Sequence, residues 1–334
     1  MKKSPIPTLL SIILVCALTA CAAKEAPSGT RFAADKSATG TTAGVTKQTS
    51  PANSEPRTLT YLNKTYTVKA PTDKIVIAGA MESMEDALVL GVQPIGAITT
   101  GGKFPELFKP ITSSSQSVGE KMQPNMEAIL KLKPDVILGS TKFPAEASEK
   151  LAKLGPMIPV SHIATNWEDN LRLIGELTGK QAQAEQILKK YKEDVSSAKT
   201  QIGEKWKGKK IVTVRIRTGS LFIYPADVFL NPTIYGELGF AVPEEVKAAK
   251  AQQNISLEQF SAMNPDAVFL QFSEDENMEQ LNALKDLQKN PIWLSTNAAK
   301  NNKIFVNVVD PLAQGGASWS KINFLKAAVE KLSN

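Results

Sequence analysis

Apolar positions along the chain follow two alternating periods. Runs at residues 74–78, 94–99 and 136–138 are nearly continuous in apolar side chains, as in strands buried on both faces. Between them, residues 83–90 and 125–132 carry apolar side chains at helical spacing, and Gly91 closes the first of these segments. Residues 59–61 and 66–68 flank Asn63-Lys64, which predicts a hairpin ahead of the first buried strand. Strands alternating with helices in this way argue for parallel α/β units.

Residues 180–206 break that rhythm. Ile187, Leu188, Tyr191, Val195, Ala198, Ile202 and Trp206 recur at helical spacing, with no Gly or Pro between Lys180 and Ile202. The spacing predicts one helix of about 22 residues, roughly 33 Å long at 1.5 Å per residue. After Gly208 the alternation restarts with a strand at 210–217 and runs on to a C-terminal helix at 322–332. The expected fold class is α/β, two Rossmann-like lobes joined by a single long α-helix. The expected division is an N-terminal lobe at 57–179, the helix at 180–206 and a C-terminal lobe at 207–334.

The lobes echo each other. The first reads Asn125-Met126-Glu127-Ala128-Ile129 and then Pro134-Asp135-Val136; the second reads Ser256-Leu257-Glu258-Gln259-Phe260 and then Pro265-Asp266-Ala267. Asn125 and Ser256 are natural N-caps, so Glu127 and Glu258 each fall in a first helical turn, near the positive dipole end. As a matched pair on two lobes they point to a shared docking role.

The N-terminus decides compartment. Lys2 and Lys3 precede an apolar stretch at 9–18, and Leu18-Thr19-Ala20-Cys21 follows. This is a secretory signal peptide over residues 1–20, too short to span a bilayer that needs roughly 20 apolar residues. Leu-Thr-Ala-Cys resembles the bacterial lipobox, whose cysteine is lipidated and becomes the mature N-terminus, here Cys21. Residues 21–56, rich in Ala, Ser, Thr, Gly, Lys and Pro, predict a flexible tether. The expected location is the extracytoplasmic face of the cell membrane. The formal charge of +6 then favours anionic lipid or an anionic ligand over nucleic acid, and a monomer is expected.

Chemistry is limited by what remains. Removing the leader discards Cys16, and His162 is the single histidine, so neither a disulfide nor a soft metal site is available. No Gly-x-Ser-x-Gly nucleophile motif and no zinc-hydrolase helix motif occurs. A surface-anchored hydrolase is therefore the weaker alternative, and a structural adhesin would leave the lobe–helix–lobe plan unexplained. The cations are more informative. Arg215 and Arg217 project from one face of the strand at 210–217 and repel each other unless an anion bridges them or a carboxylate lies opposite. Lys121 lies in a loop before a helix, and Lys142 follows the strand at 136–138, on the side where ligands enter such sheets. Lys103 is a weaker candidate, and Lys250 lies between two elements of the second lobe.

Lipobox, tether, two α/β lobes on one long helix and the paired Glu…Pro-Asp units resemble the solute-binding proteins of siderophore, haem and cobalamin importers. Gly315-Gly316-Ala317-Ser318-Trp319 is similar to that family's last loop before its final helix. The resemblance implies the helical-backbone periplasmic-binding-protein fold, no enzymatic activity, and an ABC importer permease as partner, docked through Glu127 and Glu258. The basic set resembles that of binders of ferric tris-catecholates of the bacillibactin and enterobactin type. It implies a triad of Lys121, Arg217 and Lys250, with Lys142 and Arg215 in support. The ligand then brings its own chelated Fe3+ and no further cofactor is expected. A ferric hydroxamate is the nearest alternative, followed by cobalamin and by haem, for which Tyr224 or Tyr235 would have to serve as axial ligand.

Overall fold

The computed structural model describes residues 55–334. The leader, Cys21 and nearly all of the expected tether lie outside the described residues. Strands β1 (Pro56–Tyr61) and β2 (Lys64–Lys69) form the hairpin. Its two connecting residues, Leu62 and Asn63, both have positive φ, as a tight primed turn requires. The turn therefore falls one residue before Asn63-Lys64, because Lys64 already pairs with Tyr61.

The first sheet is built from β3 (Ile75–Ala78), then α1 (Met81–Leu90), β4 (Gly96–Thr99), β5 (Gln116–Glu120), β6 (Gln123–Pro124), α2 (Met126–Leu132), β7 (Val136–Ser140) and β8 (Met157–Val160). Its strand order is β6-β5-β4-β3-β7-β8, parallel except for the short β5–β6 pair. Every residue of β3 and β7 is buried, which explains the apolar runs at 75–78 and 136–138. The order reverses direction between β3 and β7, so a crevice opens at the carboxyl ends of these two strands.

Helix α3 (Trp167–Thr178) leads into α4 (Gln181–Ile202), whose 22 residues span about 33 Å. Ala184, Leu188, Tyr191, Ala198 and Ile202 form its buried stripe. Trp206 lies beyond the helix end and still docks, its indole N–H donating to Leu332 O at 2.7 Å.

The second sheet comprises β9 (Ile211–Arg217), β10 (Ser220–Ile223), β11 (Gln253–Asn254), β12 (Ala267–Phe272) after α5 (Leu257–Met263), and β13 (Ile304–Val306). In the order β11-β10-β9-β12-β13, the last three strands run parallel, while β10 returns antiparallel from β9. Strand β9 alternates as its sequence predicts: Val212, Val214 and Ile216 enter an apolar cluster with Phe260 and Trp293. Arg215 turns to the other face, with its guanidinium over the Phe229 ring.

The final helix, α6 (Ser318–Ser333), does not stay with the second sheet alone. It packs against α1, α3 and α4, and Phe324, Leu325, Ala328 and Leu332 enter one core with residues of both sheets. It also starts at Ser318, earlier than the periodicity at 322–332 indicates. Its first N–H groups find carboxylates on α1: Ser320 N donates to Glu85 at 2.8 Å and Ser318 N to Asp86 at 3.3 Å. A second buried link is Lys321, 1% exposed, whose ammonium is 2.8 Å from Glu237. Tyr191 of α4 donates to the same carboxylate at 2.5 Å, and Lys321 stands over the Trp167 ring at 5.4 Å. One cation thus ties α6, α4, α3 and the turn Pro232–Glu237 together.

The echo between the lobes extends to hydrogen bonds. Asn125 caps α2 by accepting from Ala128 N at 3.0 Å, and Ser256 caps α5 in a reciprocal box with Gln259. Both helices have 7 residues and end on a left-handed residue, Lys133 (φ 49°) and Asn264 (φ 48°). Each following Asp donates its N–H to the residue before a central strand: Asp135 to Lys74 O at 3.0 Å, Asp266 to Lys210 O at 2.8 Å.

Candidate ligand cleft

The carboxyl ends of both sheets supply the walls of one cavity of about 400 Å³. Glu82 enters it from the start of α1, Lys142 from the loop after β7, and His162 and Ile163 from the loop after β8. The second sheet contributes Arg215 and Arg217 from the end of β9, Tyr224 and Phe229 from the segment after β10, and Lys250 and Gln252 from the approach to β11. Gln314 and Gly316 form part of the wall from the segment ahead of α6. Gly315 has φ +75°, and a Cβ there would meet the Phe229 backbone at 2.6 Å. A Cβ on Gly316 would meet Ala164 at 2.5 Å, so the glycine pair lets this segment thread between the two sides.

The arginines are held before any ligand arrives. Arg215 Nε donates to Glu276 Oε2 at 2.7 Å, and Arg217 lies 3.3 Å from Glu276 Oε1. One carboxylate therefore relieves the repulsion inherent in the Arg215–Arg217 spacing. Its loop is bolted to β9: Asn277 Nδ2 donates to Ile216 O at 3.0 Å, and Gly219 N donates to Asn277 Oδ1 at 3.0 Å. Arg215 also donates to Pro311 O at 3.0 Å, and Arg217 to Gln252 Oε1 at 2.7 Å. Tyr224 shares that acceptor at 3.3 Å.

The lysines are held more loosely. Lys142 is exposed, and its ammonium is 3.9 Å from the buried Glu82 carboxylate. Lys250 is exposed and has no hydrogen-bond or ion-pair partner among the described residues. Lys121 does not itself line the cavity; it donates to Gln314 Oε1 at 2.7 Å, while Gln314 N donates to Glu85 Oε1 at 2.6 Å. Burial lowers the Lys121 ammonium from its ordinary value, and Glu82 opposes this while Lys142 and Arg215 reinforce it.

Five of the six cations named from sequence thus gather at or beside one cavity, whereas Lys103 sits in an exposed turn and does not line it. Tyr235 is buried, its hydroxyl donating to Ile211 O at 2.8 Å, so it is a packing residue. Sequence reasoning missed Glu276, Glu82, Gln252 and Gln314. Glu276 is separated from Arg215 by 61 positions, and no local pattern announces that pairing. Another hollow, lined by Glu185, Leu188 and Lys189 on α4, lies away from both sheet ends. Among the described residues no group of three or more His, Cys, Asp or Glu is placed to hold a metal ion. Glu127 and Glu258 are exposed in the first turns of α2 and α5 and take no part in the cavity.

Two α/β lobes meeting over a basic cleft, carried by one long helix, define the architecture of a two-lobed binding protein. A periplasmic binding protein family model matches residues 76–307, and the chain belongs to that family. It is 50% identical over 333 residues to the iron-uptake system-binding protein of Bacillus subtilis, covering 100% of this chain and 99% of that one. The crystal structure of the triscatecholate siderophore binding protein FeuA from Bacillus subtilis, complexed with ferri-bacillibactin, matches with a TM-score of 0.79. Identity there is 55%, over 83% of this chain and 98% of that chain. Staphylococcus aureus SirA complexed with staphyloferrin B matches with a TM-score of 0.70 at 25% identity, over 83% of this chain and 98% of that chain.

Proposed function

We propose that this protein captures a ferric siderophore, a tris-catecholate, in the cleft between its lobes and delivers it to the permease of an ABC importer. The observation that carries the reading is the convergence of Lys142, Arg215, Arg217 and Lys250 on one cavity, with Lys121 beside it. The cations outnumber the carboxylates Glu82, Glu276 and Asp227. A ferric tris-catecholate is a trianion whose charge is spread over three aryl rings. Guanidinium forks and ammonium groups suit its oxygens, and cations also lie well over ring faces. Because the chelate supplies the iron's ligands, the protein needs no metal-binding side chains of its own. The similarity to a triscatecholate siderophore binding protein at 55% identity supports the same ligand class.

Lys121, Arg217 and Lys250 form the primary grip, and Lys142 and Arg215 support it. The protein is not an enzyme in this reading. Cys21 carries the lipid that holds it at the extracytoplasmic face, and Glu127 and Glu258 face the permease. The test is a fluorescence titration of the purified protein with ferric tris-catecholate and ferric tris-hydroxamate in parallel. Saturable tight quenching by the catecholate, with the hydroxamate weaker by at least about tenfold (about 1.4 kcal/mol), is expected. Preference for the hydroxamate would overturn the catecholate assignment.

A further inference from the structure

The lone histidine stands at the cleft, and its ring is oriented by the protein. His162 follows β8 and lines the cavity between Lys142 and Ile163. Its backbone N–H donates to Thr141 Oγ1 at 3.2 Å, and the same oxygen lies 2.7 Å from its Nδ1. A hydroxyl already accepting from the backbone has its own hydrogen free for Nδ1. With that hydrogen donated to Nδ1, the neutral imidazole carries its proton on Nε2, and Nε2 has no partner among the described residues.

The backbone beneath the ring is fixed as well. Ser161 N donates to Tyr61 Oη at 2.8 Å, Asn170 Nδ2 donates to Ser161 O at 2.9 Å, and Ser161 Oγ accepts from Asn166 Nδ2 at 2.9 Å. Ile163 is 47% exposed and lines the cavity together with Val228, 38% exposed, from the second lobe. Two apolar side chains left in the open on either side of a basic cleft suit an aryl ring.

We propose that His162 is a ligand-contacting residue, donating Nε2–H to a catecholate oxygen of the bound chelate while Ile163 packs on the adjoining ring. The proposal rests on the ferric tris-catecholate reading given above. It adds a neutral donor from the first lobe, whose other cavity-lining donor is the flexible Lys142.

A proton is linked to this contact. In the free protein, burial and then the Lys142 ammonium hold the imidazole below its ordinary range; Lys121 acts in the same direction and Glu82 against it. Across the cavity stand Arg215, Arg217, Lys250 and Asp227. A bound trianion reverses the local field and favours the imidazolium, so the complex holds a proton that the free protein lacks. Such a site binds more tightly as pH falls, and the gain is lost as pH rises through the bound-state pKa.

The experiment compares dissociation constants of wild type, His162→Leu, His162→Gln and Thr141→Val for a ferric tris-catecholate at pH 7.5 and pH 6.0. At pH 7.5, His162→Leu is expected about tenfold weaker, while His162→Gln, which keeps an N–H donor, stays within about threefold. Thr141→Val, which removes the hydroxyl that holds both the ring and the His162 backbone N–H, is expected about threefold weaker. The ratio of the His162→Gln constant to the wild-type constant should grow about fivefold from pH 7.5 to 6.0, and this ratio cancels protonation of the ligand itself. A His162→Leu constant within twofold of wild type at both pH values would overturn the proposal, as would a ratio that does not change with pH. Failure of the wild type to bind the catecholate at all would instead overturn the reading beneath it.

Discussion

The two lobes share one building plan and arm it differently. Each places a capped 7-residue helix, a left-handed end residue, a Pro-Asp and a buried strand in the same order. The second lobe then offers arginines rooted in β9 and clamped by Glu276. The first offers Lys121 and Lys142 on loops, near a buried Glu82, with His162 alongside. A planar fork held in place loses little freedom when an anion arrives, whereas a four-carbon stem adapts and loses more. In the binding proposed above, that difference would leave orientation of the ligand to the second lobe and accommodation of it to the first.

The largest effect is therefore expected at Arg217. Replacing it with Ala removes charge-assisted hydrogen bonds of about 1.5–3 kcal/mol, or roughly 10- to 150-fold in affinity. Arg217→Lys should recover little of it, because the fork geometry is lost. Lys121→Ala and Lys250→Ala are expected to weaken binding less, about tenfold each, since a neighbouring ammonium can shift toward the vacated charge. Titration of the four variants checks the comparison. Equal losses at Arg217 and at the first-lobe Lys121 would erase the division of labour between the lobes, and wild-type affinity in all three alanine variants would remove the triad.

Much of this comparison is written locally in the chain. Asn125 and Ser256 announce their caps, the stripe through Leu188 and Tyr191 announces α4, and the alternation of β9 places Arg215 opposite Val214. Long-range packing is not written there. Lys321 and Glu237 meet only because α6 crosses back to α4, and Glu85 meets Ser320 across 235 positions. Those carboxylates also explain the early start of α6, which hydrophobic spacing alone places at residue 322. The cation set was legible because strand ends and loops carry it, whereas its counter-charges Glu276 and Glu82 come from other elements. His162 was visible as a singular residue, but its orientation depends on Thr141, on a different strand's loop.

The seam between α1 and α6 gives an intermediate effect. Burial pushes the Glu85 carboxyl up to about 7 and the Asp86 carboxyl up to about 8, against hydrogen bonds from Ser320, Gln314 and Ser318. Glu82 adds a repelling charge to both. Asp86 Oδ2 is buried without a partner, which makes Asp86 the natural holder of the proton. A raised folded-state pKa means that the folded protein keeps a proton the unfolded chain has lost. Stability is then fullest below the unfolded carboxylate values and declines as pH rises through about 7 to 8. Urea unfolding should show wild type more stable at pH 5.5 than at pH 8.5 by at least about 2 kcal/mol, with Asp86→Asn removing most of that difference. Stability that rises over this interval would mean that both carboxylates remain ionised at the seam.

The smallest effect on ligand affinity, none, is expected at Glu127 and Glu258, and here the likeness of the lobes is tested at its limit. Both glutamates are exposed at equivalent helix starts, remote from the cavity lining. They differ in one respect: Glu127 is paired with Lys131 at 2.7 Å, while Glu258 has no ion-pair partner among the described residues. In the docking proposed above, a permease cation would have to displace Lys131 to reach Glu127 but would meet Glu258 unopposed. Glu127→Ala and Glu258→Ala should keep the wild-type dissociation constant and lower iron uptake by cells, with Glu258→Ala the more damaging. Lys131→Ala should narrow that gap by freeing Glu127 in the otherwise intact protein. Weakened ligand binding in either glutamate variant would move these residues from docking to the cleft, and undiminished uptake in both would confine the lobes' symmetry to folding.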